Sequence, residues 1–100
     1  MKVDLKPNEV VVKASDSHHL NEEKKVSGKL ILTNQRVYFK SPGNNDFNME
    51  ILPNEIEEII YFNTSMLFPN GLNIVTKEGE QLKFKIKKRD SWGKAINQMY

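Results

Sequence analysis

Basic side chains near the C-terminal end of this 100-residue chain are the residues best suited to bind another molecule. They first alternate with apolar residues and then form a short run: Lys83, Lys85, Lys87, Lys88 and Arg89. Ammonium and guanidinium groups attract phosphates and carboxylates, and each base contributes roughly 1 kcal/mol next to an anionic membrane surface. Two interpretations stay open: a surface for an anionic lipid or an acidic partner, or a strand face that lysines keep soluble and unpaired.

A second set of charged side chains lies within residues 15–27, which we expect to form a long, mobile loop because the stretch is polar throughout. Lys24 and Lys25 in this loop could add to an anion-binding site, whereas Glu22 and Glu23 beside them would oppose one. The sequence therefore predicts a lipid or anion contact at Lys24 and Lys25 only in combination with the C-terminal bases.

His18 and His19 are the two histidines of the chain, and imidazoles are common metal ligands. Adjacent side chains diverge, however, and no third ligand is spaced to complete a site, so we expect no metal and no cofactor. The chain has no cysteine. It also lacks a recognisable Ser–His–acid arrangement or Gly-rich phosphate loop. We therefore expect no catalytic residues and a protein that is not an enzyme.

Met66, Leu67 and Phe68 form an apolar group inside a predicted loop, next to Pro69. Large apolar side chains at a loop tip can insert into a bilayer or contact a partner chain. The same residues could instead fold back over the core. Both interpretations of this tip stay open.

Seven strands and one helix are predicted to position these candidate residues in a single domain over residues 1–100. Valines at 10–12 favour a buried first strand, because β-branched residues pack well in sheets. At the other end, Trp92, Ile96 and Met99 recur at helical spacing after Asp90, a suitable N-cap. The predicted strands lie at about 9–14, 28–33, 36–41, 46–52, 58–62, 72–77 and 81–87, and the helix at about 90–99.

Tight turns are predicted where turn-forming residues separate alternating runs. Asn34 and Gln35 separate two such runs, and Asn34 can adopt the left-handed conformation that a two-residue turn needs. Glu78 and Gly79 mark a second hairpin.

The region around residues 54–62 is harder to assign. Asn54 can cap a single helical turn through Glu57. The apolar run that follows predicts a strand, although Ile56, Ile59 and Ile60 fit a helical spacing nearly as well.

Several motifs in this order resemble the GRAM domain, a branch of the pleckstrin-homology-like (PH-like) superfold, from about residue 9 to residue 97. The positions that carry the resemblance are Gly28, Leu30, Leu32, Thr33, Asn34, Arg36, Phe39, Ile51, Leu52, Pro53, Ile56, Gly71, Leu72, Lys77, Gly79, Phe84 and Trp92. The resemblance implies a mostly β fold: a seven-stranded curved sandwich, or partly open barrel, capped by a C-terminal helix. It also implies a non-catalytic binding module, since such domains bind phosphoinositides, other anionic lipids or proteins.

Charge is segregated along the chain. Residues 83–94 carry six bases and one acid, whereas residues 46–58 carry five acids and no base. The formal net charge of +2 does not indicate a nucleic-acid partner. We expect a small module that contacts an anionic lipid or membrane surface through a basic face. The alternative is a protein-interaction or self-assembly domain that uses an open sheet edge or the 63–70 loop, and a homo-oligomer fits it.

Residues 1–7 lack the hydrophobic centre of a signal peptide. We therefore expect a cytoplasmic protein that is peripheral on the inner face of the membrane when it binds there.

Overall fold

Seven antiparallel strands and one C-terminal helix make up the computed structural model, which describes residues 5–21, 24–42, 48–64 and 69–99. The strands form a single sheet in the order β4-β3-β2-β1-β7-β6-β5, so β4 and β5 are its two edges and the sheet is not a closed barrel. The elements are β1 (Val11–Asn21), β2 (Lys24–Thr33), β3 (Val37–Lys40), β4 (Met49–Ile51), β5 (Ile56–Phe62), β6 (Gly71–Thr76), β7 (Gln81–Ile86) and α1 (Arg89–Asn97).

The core lies on one face of the sheet. Alternate residues of the strands point there, and α1 adds Trp92 and Ile96, which are almost fully buried. The other core residues are Leu30, Leu32, Val37, Phe39, Ile51, Ile56, Leu72, Ile74, Phe84 and Ile86. The predicted mostly β fold with one C-terminal helix is confirmed. Within the described residues, no helix is long and apolar enough to cross a membrane.

The long loop predicted for residues 15–27 is wrong, because β1 continues to Asn21 and β2 begins at Lys24. The two strands pair along their whole length, and Ser17–Leu20 of β1 also pair with β7. Ser17 and His19 face the core, whereas Asp16 and His18 face outward. Since both faces of this strand are polar in sequence, the period-two pattern that marks a half-buried strand was hidden.

The valine run is also placed differently from the prediction of a buried strand at 9–14. Val10, Val11 and Val12 are 62%, 44% and 56% exposed. Before Ser17, the described part of β1 pairs with β2 alone, because pairing with β7 begins at Ser17. The register with β2 also shifts by one residue between Val11 and Lys13. A strand that pairs on one side and carries a bulge leaves its side chains open to solvent.

Residues 5–10 lie against the turn of the β2–β3 hairpin and are held there by polar contacts. The Arg36 guanidinium donates to the Glu9 carboxylate at 2.8 and 3.1 Å. Thr33 Oγ1 donates to the same carboxylate at 2.6 Å. These bonds, above all the one from Arg36, lower the pKa of Glu9 to about 2. Glu9 therefore stays ionised at neutral pH inside the protein.

The turn at Asn34–Gln35 is present, since the Thr33 amide donates to the Arg36 carbonyl at 2.9 Å. The left-handed conformation predicted for Asn34 is wrong: the described non-glycine residues with positive φ are Asn8 and Lys88. The Asn34 side chain instead accepts a hydrogen bond from the Val10 amide at 2.8 Å and donates one to the Asn8 carbonyl at 3.0 Å. Asn34 thus ties the N-terminal segment to the hairpin.

Helix ends also differ from the sequence predictions. The turn between β4 and β5 is a 3₁₀ helix over Pro53–Glu55 with Leu52 as its N-cap, so the Asn54 cap is wrong. Lys88, with φ 57°, is the residue before α1, and Asp90 lies inside the first turn of α1 where it had been predicted as the cap. Residues 56–62 form a strand, which settles that ambiguity in favour of β5. Residues 46–47 of the predicted fourth strand lie outside the described part of the chain.

Candidate anion-binding face

Four basic or titratable side chains come together on the outer face of β7, β1 and β2. Lys83 of β7 lies opposite Leu20 of β1, which lies opposite Lys25 of β2. In the next row, Lys85 of β7 lies opposite His18. Because residues directly opposite each other share a face of the sheet, Lys25, Lys83, Lys85 and His18 share one surface. We call these four residues the basic face.

Lys25 and Lys85 are the most closely coupled pair on the basic face. The charge of Lys25, with a contact between the two ammonium groups, lowers the pKa of Lys85 below its usual value. Like charges close together on one face of a sheet repel, and a bound anion would relieve that repulsion. Lys25 and Lys85 are therefore candidate partners for a phosphate or carboxylate group.

A cavity of about 470 Å³ opens beside this pair, where β1 separates from β7. Lys85 and Lys87 supply cations to its wall, and His18 supplies an imidazole. Asp16 is the one acid among its lining residues, and it lies opposite Lys29 of β2. The remaining lining residues are Ser15, Asn70 and Ile86. The cavity can accept a polar group that carries negative charge.

Apolar side chains border the basic face on the β5 side. The Phe62 ring lies over Gly71, where a Cβ atom would come within 2.5 Å of a ring carbon. The Lys83 Nζ atom is 6.0 Å from the centre of the same ring. Ile60, two residues along β5, is 41% exposed. The face therefore offers cations next to apolar surface, the combination that suits the boundary between headgroups and acyl chains.

The other residues predicted from sequence as anion ligands are distributed differently. Lys87 is exposed at the end of β7 and lines the cavity, and Lys88 is exposed just before α1. Arg89 donates to the Phe62 carbonyl and lies over the Tyr61 ring, 5.1 Å from its centre. Because its guanidinium already joins α1 to β5, the structure does not bring Arg89 to the basic face.

The side chains of two sets of predicted residues lie outside what the structure describes. Lys24 begins β2, but the structure describes only its backbone. Met66, Leu67 and Phe68, the predicted apolar tip, lie outside the described residues.

Sequence reasoning assigned His18 to a solvated loop and so missed it as part of this surface. The signal that could have placed it is the continuation of β1 and β2 as a hairpin up to residues 21 and 24, which fixes His18 opposite Lys85. His19, next to it, points the other way: it contacts Phe39 and Phe84, and its Nδ1 is 3.1 Å from the Lys83 carbonyl oxygen. Burial lowers the pKa of His19.

Comparison with known proteins identifies the family to which this fold is similar. A family model for the GRAM domain matches residues 1–100. No curated protein matches the sequence.

Solved structures with this fold share little sequence with the chain. The C-terminal domain of an unknown protein from Leishmania infantum is 18% identical, with a TM-score of 0.82 over 93% of this chain and 85% of that one. The Vps36 N-terminal PH domain is 14% identical, with a TM-score of 0.74 over 95% and 81%. The C-terminal PH domain of human pleckstrin is 17% identical, with a TM-score of 0.67 over 98% and 96%. At these identities the likeness concerns the fold.

Proposed function

Because the chain belongs to the GRAM domain family, we propose that it is a non-catalytic module that binds anionic lipid at a membrane surface through its basic face. GRAM and PH-like domains are typically binding modules for lipids or proteins. The observation that supports lipid most directly is the strand register that puts Lys25, Lys83 and Lys85 on one face, beside a cavity that Lys85 and Lys87 line.

The strength of this contact follows from the number of cations. Lys25, Lys83, Lys85 and Lys87 each contribute roughly 1 kcal/mol near an anionic surface. A sum of about 4 kcal/mol corresponds to a millimolar dissociation constant, so the charges alone give weak and reversible binding. Contact of Ile60 and Phe62 with the lipid surface would add to it. We infer a peripheral association with the anionic inner leaflet of a membrane, strongest at low salt.

Vesicle sedimentation tests this function. The chain is mixed with vesicles of phosphatidylcholine alone, or with vesicles that contain phosphatidylserine in addition, at 50 and 300 mM salt. We expect several-fold more protein to sediment with the anionic vesicles at low salt, and most of that difference to vanish at high salt. Equal sedimentation with both kinds of vesicle would refute the proposal.

A further inference from the structure

An acidic groove lies between β4 and the turn that joins β6 to β7. Its first part is a cavity of about 270 Å³ whose apolar wall includes Met49, Ile51 and Leu82. Glu55 and Glu80 line the same cavity, and both also line a smaller neighbouring cavity of about 180 Å³ together with Glu78. We call these two adjoining cavities, together with the third one described next, the acidic groove.

The groove continues toward the C-terminal end of α1. Lys77 and Asn54 line both the smaller cavity and a third one of about 460 Å³, which reaches Met99. Glu57 lies in the wall of this third cavity as well. Lys77 is the one base among the described residues that line the three cavities.

Not all carboxylates of the groove are equally available. Glu50, which also lines the groove, already forms ion pairs with Lys6 at 3.1 Å and with Arg36 at 3.6 Å. Glu55 accepts a hydrogen bond from the Leu52 amide at 2.9 Å. Glu78 and Glu80, by contrast, are exposed and form no ion pair with any described residue. These two carboxylates are free to meet a cation from outside.

The backbone of the edge strand β4 borders the groove. β4 pairs with β3 through Met49, Glu50 and Ile51, and it is the last strand of the sheet, so its other edge has no strand partner among the described residues. Unpaired amide and carbonyl groups at such an edge are a template for an added strand. Side chains of an added strand would alternate between the apolar wall and the acidic rim.

We propose that the acidic groove binds an extended basic segment of a partner protein, which adds as a strand to the free edge of β4. An apolar side chain of the segment packs against Met49 and Leu82, and its lysine or arginine side chains meet Glu78 and Glu80. Charge complementarity favours a basic peptide over a lipid headgroup here, because an anionic headgroup would be repelled. A metal ion is a poorer occupant, since no group of three or more acids or histidines among the described residues is arranged to hold one.

The site can be tested with a fluorescent peptide of alternating lysine and valine, followed by anisotropy at low salt. Two further peptides serve as comparisons: one with glutamate in place of lysine, and one with lysine and valine but with alternate backbone amides methylated. We expect the lysine–valine peptide to bind and the glutamate peptide not to bind. The methylated peptide should bind at least tenfold more weakly than the lysine–valine peptide, because it cannot complete the strand ladder. Equal binding of the methylated peptide would overturn the strand-addition model.

Charge-reversal variants link the binding to the groove. Glu80→Lys should weaken binding of the lysine–valine peptide about tenfold, whereas Glu58→Lys, an equal change at an exposed residue that lines none of the three cavities, should change it less than twofold. Equal affinities for the two variants would refute the assignment to this groove. Light scattering tests for self-association. If the chain binds no peptide but self-associates, and Glu80→Lys abolishes that association, the groove binds a second copy of the chain and the proposal is refuted.

Discussion

Glu9 shows how a single buried carboxylate joins the N-terminal segment to the sheet. Its side chain is fully enclosed, and it meets both Arg36 and Thr33. Thr33 and Arg36 stand among the positions that resemble the GRAM domain, but nothing in the local pattern indicated that an acid 24 residues before Thr33 and 27 before Arg36 would be their partner. Such a contact depends on how the chain folds over itself, which residue spacing does not encode.

We expect Glu9→Gln to lower the free energy of unfolding by about 3 kcal/mol at pH 7, because it leaves the Arg36 guanidinium buried without its counter-ion. The folded pKa of Glu9, about 2, lies below its ordinary value of 4.5. Its stabilising contribution is therefore complete above pH 4.5 and is lost as the pH falls from there toward 2.

Urea unfolding of both proteins at pH 7 and pH 3 checks this expectation. The native chain should lose stability between the two pH values, and the Glu9→Gln variant should lose less. The same pH dependence in both proteins would show that Glu9 does not titrate as described.

At the scale of elements, strands with one polar and one apolar face were the easiest to predict from the sequence, whereas the extent of β1, whose buried residues are polar, was not predicted. The β6–β7 hairpin is the clearest success: Leu82, Phe84 and Ile86 alternate with polar residues, and Gly79 has the positive φ of 92° that its turn requires. β1 does not follow the expectation that apolar residues are buried and polar residues exposed, because its valines are exposed and its buried residues are Ser17 and His19. Pairing partners decide burial there, and side-chain type does not.

The close approach of β5 and β6 gives a prediction at this scale. A Cβ atom at residue 71 would lie 2.6 Å from the Phe62 carbonyl oxygen and 2.5 Å from its ring. Gly71→Ala should therefore destabilise the protein by about 2 kcal/mol, because the backbone of a paired strand cannot move away without losing its ladder. Chemical denaturation of the variant measures this effect, and a change below about 0.5 kcal/mol would contradict the described packing.

Among the described residues, the basic face and the acidic groove are two separate charged regions. The basic face lies on β7, β1 and β2, whereas the acidic groove lies where β4 meets the β6–β7 turn. The sequence predicted a basic stretch at 83–94 and an acidic stretch at 46–58, but Glu78 and Glu80 of the groove lie outside the second stretch. It could not show that Lys25 joins Lys83 and Lys85, or that Arg89 is used to attach α1, because both depend on strand register and helix docking.

This separation has a consequence for orientation. If the basic face contacts an anionic membrane, repulsion keeps Glu78 and Glu80 away from that surface. The acidic groove would then remain accessible to a partner while the membrane is bound. The module would join a lipid surface to a basic protein segment.

Matched charge-removal variants test the central claim, that the basic face binds anionic membranes. Lys25→Ala combined with Lys85→Ala removes two cations from the face, and Lys77→Ala combined with Lys94→Ala removes two exposed cations elsewhere. Both double variants have the same net charge. Their sedimentation with phosphatidylserine-containing vesicles at 50 mM salt is compared with that of the native chain.

We expect the Lys25 and Lys85 variant to lose at least tenfold in vesicle affinity, since about 2 kcal/mol of attraction is removed. The Lys77 and Lys94 variant should stay within about threefold of the native chain. Equal loss in both variants would mean that net charge and not this face determines binding, and it would contradict the account.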